Sequence, residues 1–145
     1  MPLFESFGIS ASSLTAHRLW LDLLANDLAN IHSAGRPGDA AAPVYRRKVP
    51  VFAEKLRESF SSGEDGRPQG VRVAAVIEDP APPRMVYEPD HPLADPATGY
   101  VAYPNINLTN EMINVIVASR AYEASVTAFN AAKDMALNAL EIGRR

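Results

Sequence analysis

Apolar residues recur along this chain at two periods, a helical one towards both ends and a strand-like one in the middle. Residues 108–142 contain neither proline nor glycine, and Met112, Val115, Tyr122, Val126, Phe129, Ala136 and Leu140 fall on one stripe at three- and four-residue steps and their sums. This predicts one long C-terminal helix. A second stripe of mostly small residues runs beside the first: Ala118, Ala121, Ser125, Ala128, Ala132, Met135 and Ala139. Together they make an apolar surface wider than one partner helix covers. A shorter helix is expected over residues 10–31, where Leu14, His17, Leu21, Leu24, Leu28 and Ile31 form an apolar seam. Ser10, Ser12 and Ser13 offer N-cap oxygens, and Asn30, Ser33, Gly35 and Pro37 supply the stop.

The middle reads differently. Residues 34–43 hold Gly35, Pro37, Gly38 and four alanines without periodicity, a flexible connection. Residues 44–52 are β-rich in residue type, but Pro50 demotes them to an edge strand or extended arm. Residues 53–60 could add a helical turn or two, and 61–70 are a loop by composition. Val71, Val73, Ala75 and Ile77 alternate with Arg72, Ala74 and Val76, the cleanest strand in the chain. Pro80, Pro82 and Pro83 end it. Residues 84–88 and 99–103 suit two short strands joined by a turn-rich stretch. The expected fold class is α+β, with long terminal helices pairing as an antiparallel coiled coil around a small β-rich middle. Residues 1–33 and 104–145 would form the helical domain, and 34–103 the linker and β-rich domain.

Composition narrows the function more than the fold. At 145 residues the chain is one ordinary domain's worth, and its formal net charge of -3 argues against a dedicated nucleic-acid binder. The short run Arg46-Arg47-Lys48 reads as a solvated strand or loop edge. There is no cysteine, so disulfides and thiolate metal sites are excluded. The N-terminus shows no basic n-region or sustained apolar h-region, and no run reaches the ~20 apolar residues of a membrane span. No cleaved signal peptide and no direct membrane insertion are expected.

Little in the chain suggests catalysis. Asp90, His91 and Asp95 are the best metal or acid–base candidates, but aspartate and proline are what such turns use anyway, and only one nitrogen ligand is present. Glu78 and Asp79 would point to opposite faces of a continuing strand, which makes them a poor dyad. His17 lies on an apolar seam with no second histidine one turn away. No nucleophile elbow, P-loop or dinucleotide fingerprint occurs. We expect no enzyme and no cofactor. The alternatives from other classes are a soluble coiled-coil adaptor that does not polymerise and a small β-rich hydrolase or metal-binding protein.

Pairing the two helices closes a long loop, at an entropic cost that grows only logarithmically, while burial of the seam side chains opposes it. The small-residue stripe then remains uncovered, and contiguous exposed apolar surface of that kind marks an interaction site. Neighbouring copies docking through two different patches would generate a ring or a helical tube.

Several segments have a recognisable form. Residues 24–30, Leu-Ala-Asn-Asp-Leu-Ala-Asn, resemble the signature that ends the first helix of the bacterial flagellar axial rod and hook family, carried here by Asn26, Leu28, Ala29 and Asn30. Residues 99–107, with Tyr103, Pro104, Asn105 and Asn107, are similar to segments that set the short proximal rod subunits apart from their relatives. So are residues 119–135, with Ser119, Arg120, Tyr122, Phe129, Asn130 and Lys133. Residues 45–48, 78–80, 87–89 and 91–92 also fit, so the resemblance covers nearly the whole chain apart from the linkers. Asp27 stands where a second asparagine is usual, Ser33 replaces a frequent threonine, and Ser125 a common asparagine. The resemblance implies export through the flagellar type III apparatus and polymerisation in the periplasm into the rod that couples rotor to hook. It implies copies of itself, other rod proteins and the ring-to-rod adaptor as partners, with the helices in an inner tube and the middle as an outer domain.

Overall fold

A computed structural model describes residues 2–56 and 68–143. Its elements are α1 (Pro2–Ala29), β1 (Lys48–Leu56), β2 (Pro68–Glu78), β3 (Arg84–Tyr87), β4 (Tyr100–Tyr103) and α2 (Leu108–Ile142). Two helices thus flank two small two-stranded sheets, β1 with β2 and β3 with β4.

α2 has the bounds its periodicity predicts, and Asn107 caps it by accepting the Asn110 N–H on its side-chain oxygen at 3.1 Å. α1 starts at Pro2, earlier than the expected residue 10. Proline suits a first turn, where its missing N–H has no helical partner to lose. The serines that offer cap oxygens lie inside the helix instead and bond back along it, Ser12 to the Ile9 carbonyl at 2.7 Å and Ser13 to that of Ser10 at 2.9 Å. At the other end the Asn30 amide bonds the Asn26 carbonyl at 2.9 Å, and Ser33 Oγ the Asn30 carbonyl at 2.7 Å, closing the last turn.

β1 departs from expectation. It begins at Lys48, so 44–47 are outside it, and residues 53–56 continue the strand where helical turns were expected. Pro50 is tolerated because each strand of a two-stranded sheet is an edge. Residues 57–67, with most of the loop expected over 61–70, lie outside the described residues, and β2 already includes 68–70 of that loop.

The chain divides into two compact units, each drawing on both helices. One contains 1–21, 50–75 and 116–145. Within it Phe52 meets Trp20 edge to face at 5.9 Å, Phe7 meets Phe129 at 5.4 Å, and Ser12 Oγ accepts the Val71 N–H at 3.0 Å. Gly70 permits that last approach: its φ is +117°, and a Cβ there would collide with Ser12.

The other unit contains 22–49 and 76–115. Its β3 and β4 pair antiparallel, Arg84 opposite Tyr103 and Tyr87 opposite Tyr100, and Gly35 bridges to Ala102. Val101 and Ala102 of β4 are fully buried.

Candidate functional site

The buried end of the second unit is polar. Asp27 on α1 is fully buried and Glu111, in the first turn of α2, nearly so. Charges this deep need partners. Arg47 Nε donates to Glu111 Oε1 at 2.5 Å, and Asn114 Nδ2 approaches Glu111 Oε2 at 3.5 Å. Asp27 Oδ1 accepts the Tyr45 hydroxyl at 2.7 Å and the Lys48 N–H at 3.1 Å, while Oδ2 has no hydrogen-bond partner among the described residues. Burial, followed by the bond to Asp27, pushes the Tyr45 phenol above its ordinary range. The basic run is therefore not a solvated edge: Arg47 turns inward and Lys48 supplies a backbone donor.

Sequence reasoning passed over Glu111, Arg47, Lys48 and Tyr45 as a group. The usable signal was spacing: Asp27 follows Leu24 by three residues and Glu111 precedes Val115 by four, so both acids extend apolar stripes. An acid there requires a base, and Arg46-Arg47-Lys48 is the one run of three.

Beside the Arg47–Glu111 pair lies a cavity of about 430 Å³ lined also by Asp79, Asn105, Asn107, Asn110 and Asn114. The motif residues Asn105 and Asn107 are thus brought to one polar wall, and Pro104 between β4 and α2 is buried. Tyr103 donates its hydroxyl to Glu88 Oε2 at 3.0 Å, while the Arg84 guanidinium lies 5.7 Å from its ring. Asn26 bonds the Asp22 carbonyl at 2.9 Å; Leu28 is half-buried and Ala29 exposed. On α2, Ser119 and Tyr122 are half-buried, Arg120 makes an exposed pair with Glu123 at 3.2 Å, and Asn130 and Lys133 are exposed.

The two expected stripes of α2 do not separate by burial. Of the seam residues, Val115, Tyr122, Val126 and Phe129 are half-buried, but Met112 and Leu140 are exposed. Of the small stripe, Ala118 and Ala132 are buried and Ser125, half-buried, meets His17 Nδ1 at 3.2 Å. Ala121 is half-buried; Ala128, Met135 and Ala139 are exposed. The buried apolar positions of α2 are Ala118, Ala132 and Ala136, where small side chains let backbones approach closely. On α1 the buried positions are Ala16, Leu23, Leu24 and Asp27, with Leu14, Leu21, Leu28 and Ile31 half-buried. Met112, Ile113, Ile116 and Val117 form an exposed ridge on α2, each more than half exposed.

The turn residues once weighed as ligands are used locally. His91 Nδ1 accepts the Leu93 N–H at 3.1 Å. Asp95 takes the Thr98 hydroxyl and the Ala97 N–H, and the Thr98 bond foremost holds its carboxyl below the usual range. Gly99, at φ +74°, lets this turn close against Tyr87, where a Cβ would stand 2.8 Å from the ring. Among the described residues no group of three or more His, Cys, Asp or Glu could hold a metal ion. No described helix is long and apolar enough to cross a membrane.

Comparison with known proteins agrees over the whole length. Residues 97–142 match the family model described as flagellar basal body rod FlgEFG protein C-terminal. The chain is 41% identical to the flagellar basal-body rod protein FlgC of Escherichia coli O157:H7, over 99% of this chain and all of that one. It is 40% identical to FlgC of Yersinia enterocolitica with the same coverage, and 38% identical to FlgC of Borreliella burgdorferi over 98% of each chain.

Proposed function

The chain belongs to the FlgC family of flagellar basal-body rod proteins and is a structural component of the rod; from that premise we propose that it polymerises through its terminal helices. It works in the proximal rod, in the periplasm, and transmits torque from rotor to hook. The subunit is exported by the flagellar type III apparatus without a cleaved signal peptide. Its partners are copies of itself, other rod proteins and the ring-to-rod adaptor. It is not an enzyme and uses no cofactor.

The observation that carries this reading is the outer surface of α2. Met112, Ile113, Ile116 and Val117 expose between 51% and 61% of their surface, and Met135 and Leu140 expose 62% and 69%. Large apolar side chains left exposed along one helix mark a protein interface. Ala128 and Ala139 are exposed as well and would allow close approach of a neighbouring helix. Pairing of α1 with α2 as an antiparallel coiled coil is supported by Phe7 meeting Phe129 and His17 meeting Ser125, since the partner's number falls as α1 advances. On this reading the paired helices line the inner tube, and residues 34–103 supply the linker and outer domain.

The test is electron microscopy of cell envelopes from a strain lacking the protein, complemented with the full chain or with a chain ending at Asn107. Rods and hooks restored by the full chain alone are expected. Intact rods and hooks in the uncomplemented strain, with no duplicate gene present, would overturn the rod reading and favour a non-polymerising adaptor.

A further inference from the structure

We propose that Asp27 is a proton-binding site that makes this fold acid-tightened: its carboxyl group takes up a proton from water as the surrounding cluster closes, and gives it up as pH rises. The case rests on a charge count inside the second unit. Asp27 and Glu111 are two buried carboxylic groups, and the nearby guanidinium, Arg47, is engaged by Glu111. The charged and titratable groups around Asp27 are Tyr45 and Arg47 from the connection after α1, Lys48 from β1 and Glu111 from α2, with Glu78 of β2 acting on Tyr45.

None of them neutralises Asp27. Tyr45 is itself held neutral, Lys48 contributes its backbone N–H while its ammonium lies 5.8 Å from the Tyr45 ring, and Glu111 repels. Among the described residues one carboxylate is thus left without a counterion of its own, and its Oδ2 has no donor. A buried carboxylic acid is far less costly than an uncompensated buried carboxylate. In agreement, burial foremost raises the Asp27 carboxyl above its ordinary range, with Glu111 adding and the bonds from Tyr45 and Lys48 and the charge of Arg47 opposing.

The sign follows from linkage. In acid, Asp27 is neutral in both folded and unfolded chains and nothing is lost. As pH rises past the ordinary value of 3.8, the unfolded chain releases its proton first, so stability falls until the folded group has titrated too.

The test compares urea unfolding of the purified full-length chain and of Asp27→Asn, followed by circular dichroism at pH 4 and pH 8. Asparagine keeps an oxygen for Tyr45 and Lys48 but cannot ionise. The variant's folding constant relative to wild type should rise between the two pH values, by about tenfold for each unit by which the folded group is raised. A ratio that stays flat or falls would overturn the proposal. So would a wild-type chain with no unfolding transition at either pH, because the site must form in the isolated protein. Should the variant fail to fold, the Asp27 carboxyl carbon resonance in the wild-type chain decides. Titration above 3.8 supports the proposal, and titration at or below it overturns it.

Discussion

Individual side chains in this protein are governed by which charges the fold takes out of water. Glu111 keeps 2% of its surface and depends on Arg47, whose own side chain is about a quarter exposed. Breaking a buried pair by removing one member leaves the other uncompensated, at a cost of roughly 3–5 kcal/mol. Arg47→Met is therefore expected to destabilise the isolated chain by about 3 kcal/mol, allowing for Arg47's partial solvation, as read from chemical denaturation. Arg120→Met, which breaks only the exposed pair with Glu123, should change stability by less than about 0.5 kcal/mol. At this scale the sequence was least legible. Asp27 and Glu111 look like ordinary helix-surface acids until their positions on the apolar stripes are followed, and their partners come from a connection with no periodicity of its own.

For whole elements, legibility tracked how many independent signals agreed. α2 combines a long breaker-free run with an Asn cap, and its bounds could be read directly. The start of α1 could not, because serines that resemble caps bond inward to carbonyls one turn earlier. Nor could the faces of α2 be assigned, since periodicity fixes which residues share a stripe but not which stripe the chain covers itself. A paired substitution separates the two. Ala118→Glu would force a carboxylate into a fully buried position and should abolish cooperative unfolding of the isolated chain. Ala128→Glu, on the exposed side, should leave circular dichroism unchanged while stopping rod assembly in cells. Normal motility with Ala128→Glu would take that position out of the interface.

The whole molecule is assembled from distant segments. Each unit needs both ends of the chain: α2 contributes residues 108–115 to one and 116–142 to the other. A chain ending at Asn107 should thus lose both units together, with no cooperative transition in urea, rather than retaining a folded remnant. Membership of the rod family was legible across nearly the full sequence because its motif residues lie in short local runs, at the end of α1, around β4 and the Asn107 cap, and along α2. The two-unit division was not, because contacts between residues 12 and 71 or 47 and 111 leave no periodic trace. That division also falls out along spectroscopic lines. The single tryptophan, Trp20, rests against Phe52 in one unit, whereas four of the five tyrosines, Tyr45, Tyr87, Tyr100 and Tyr103, belong to the other. Indole emission and tyrosine emission therefore report largely on different halves of the fold, so the order in which the halves form can be followed in the unlabelled native chain.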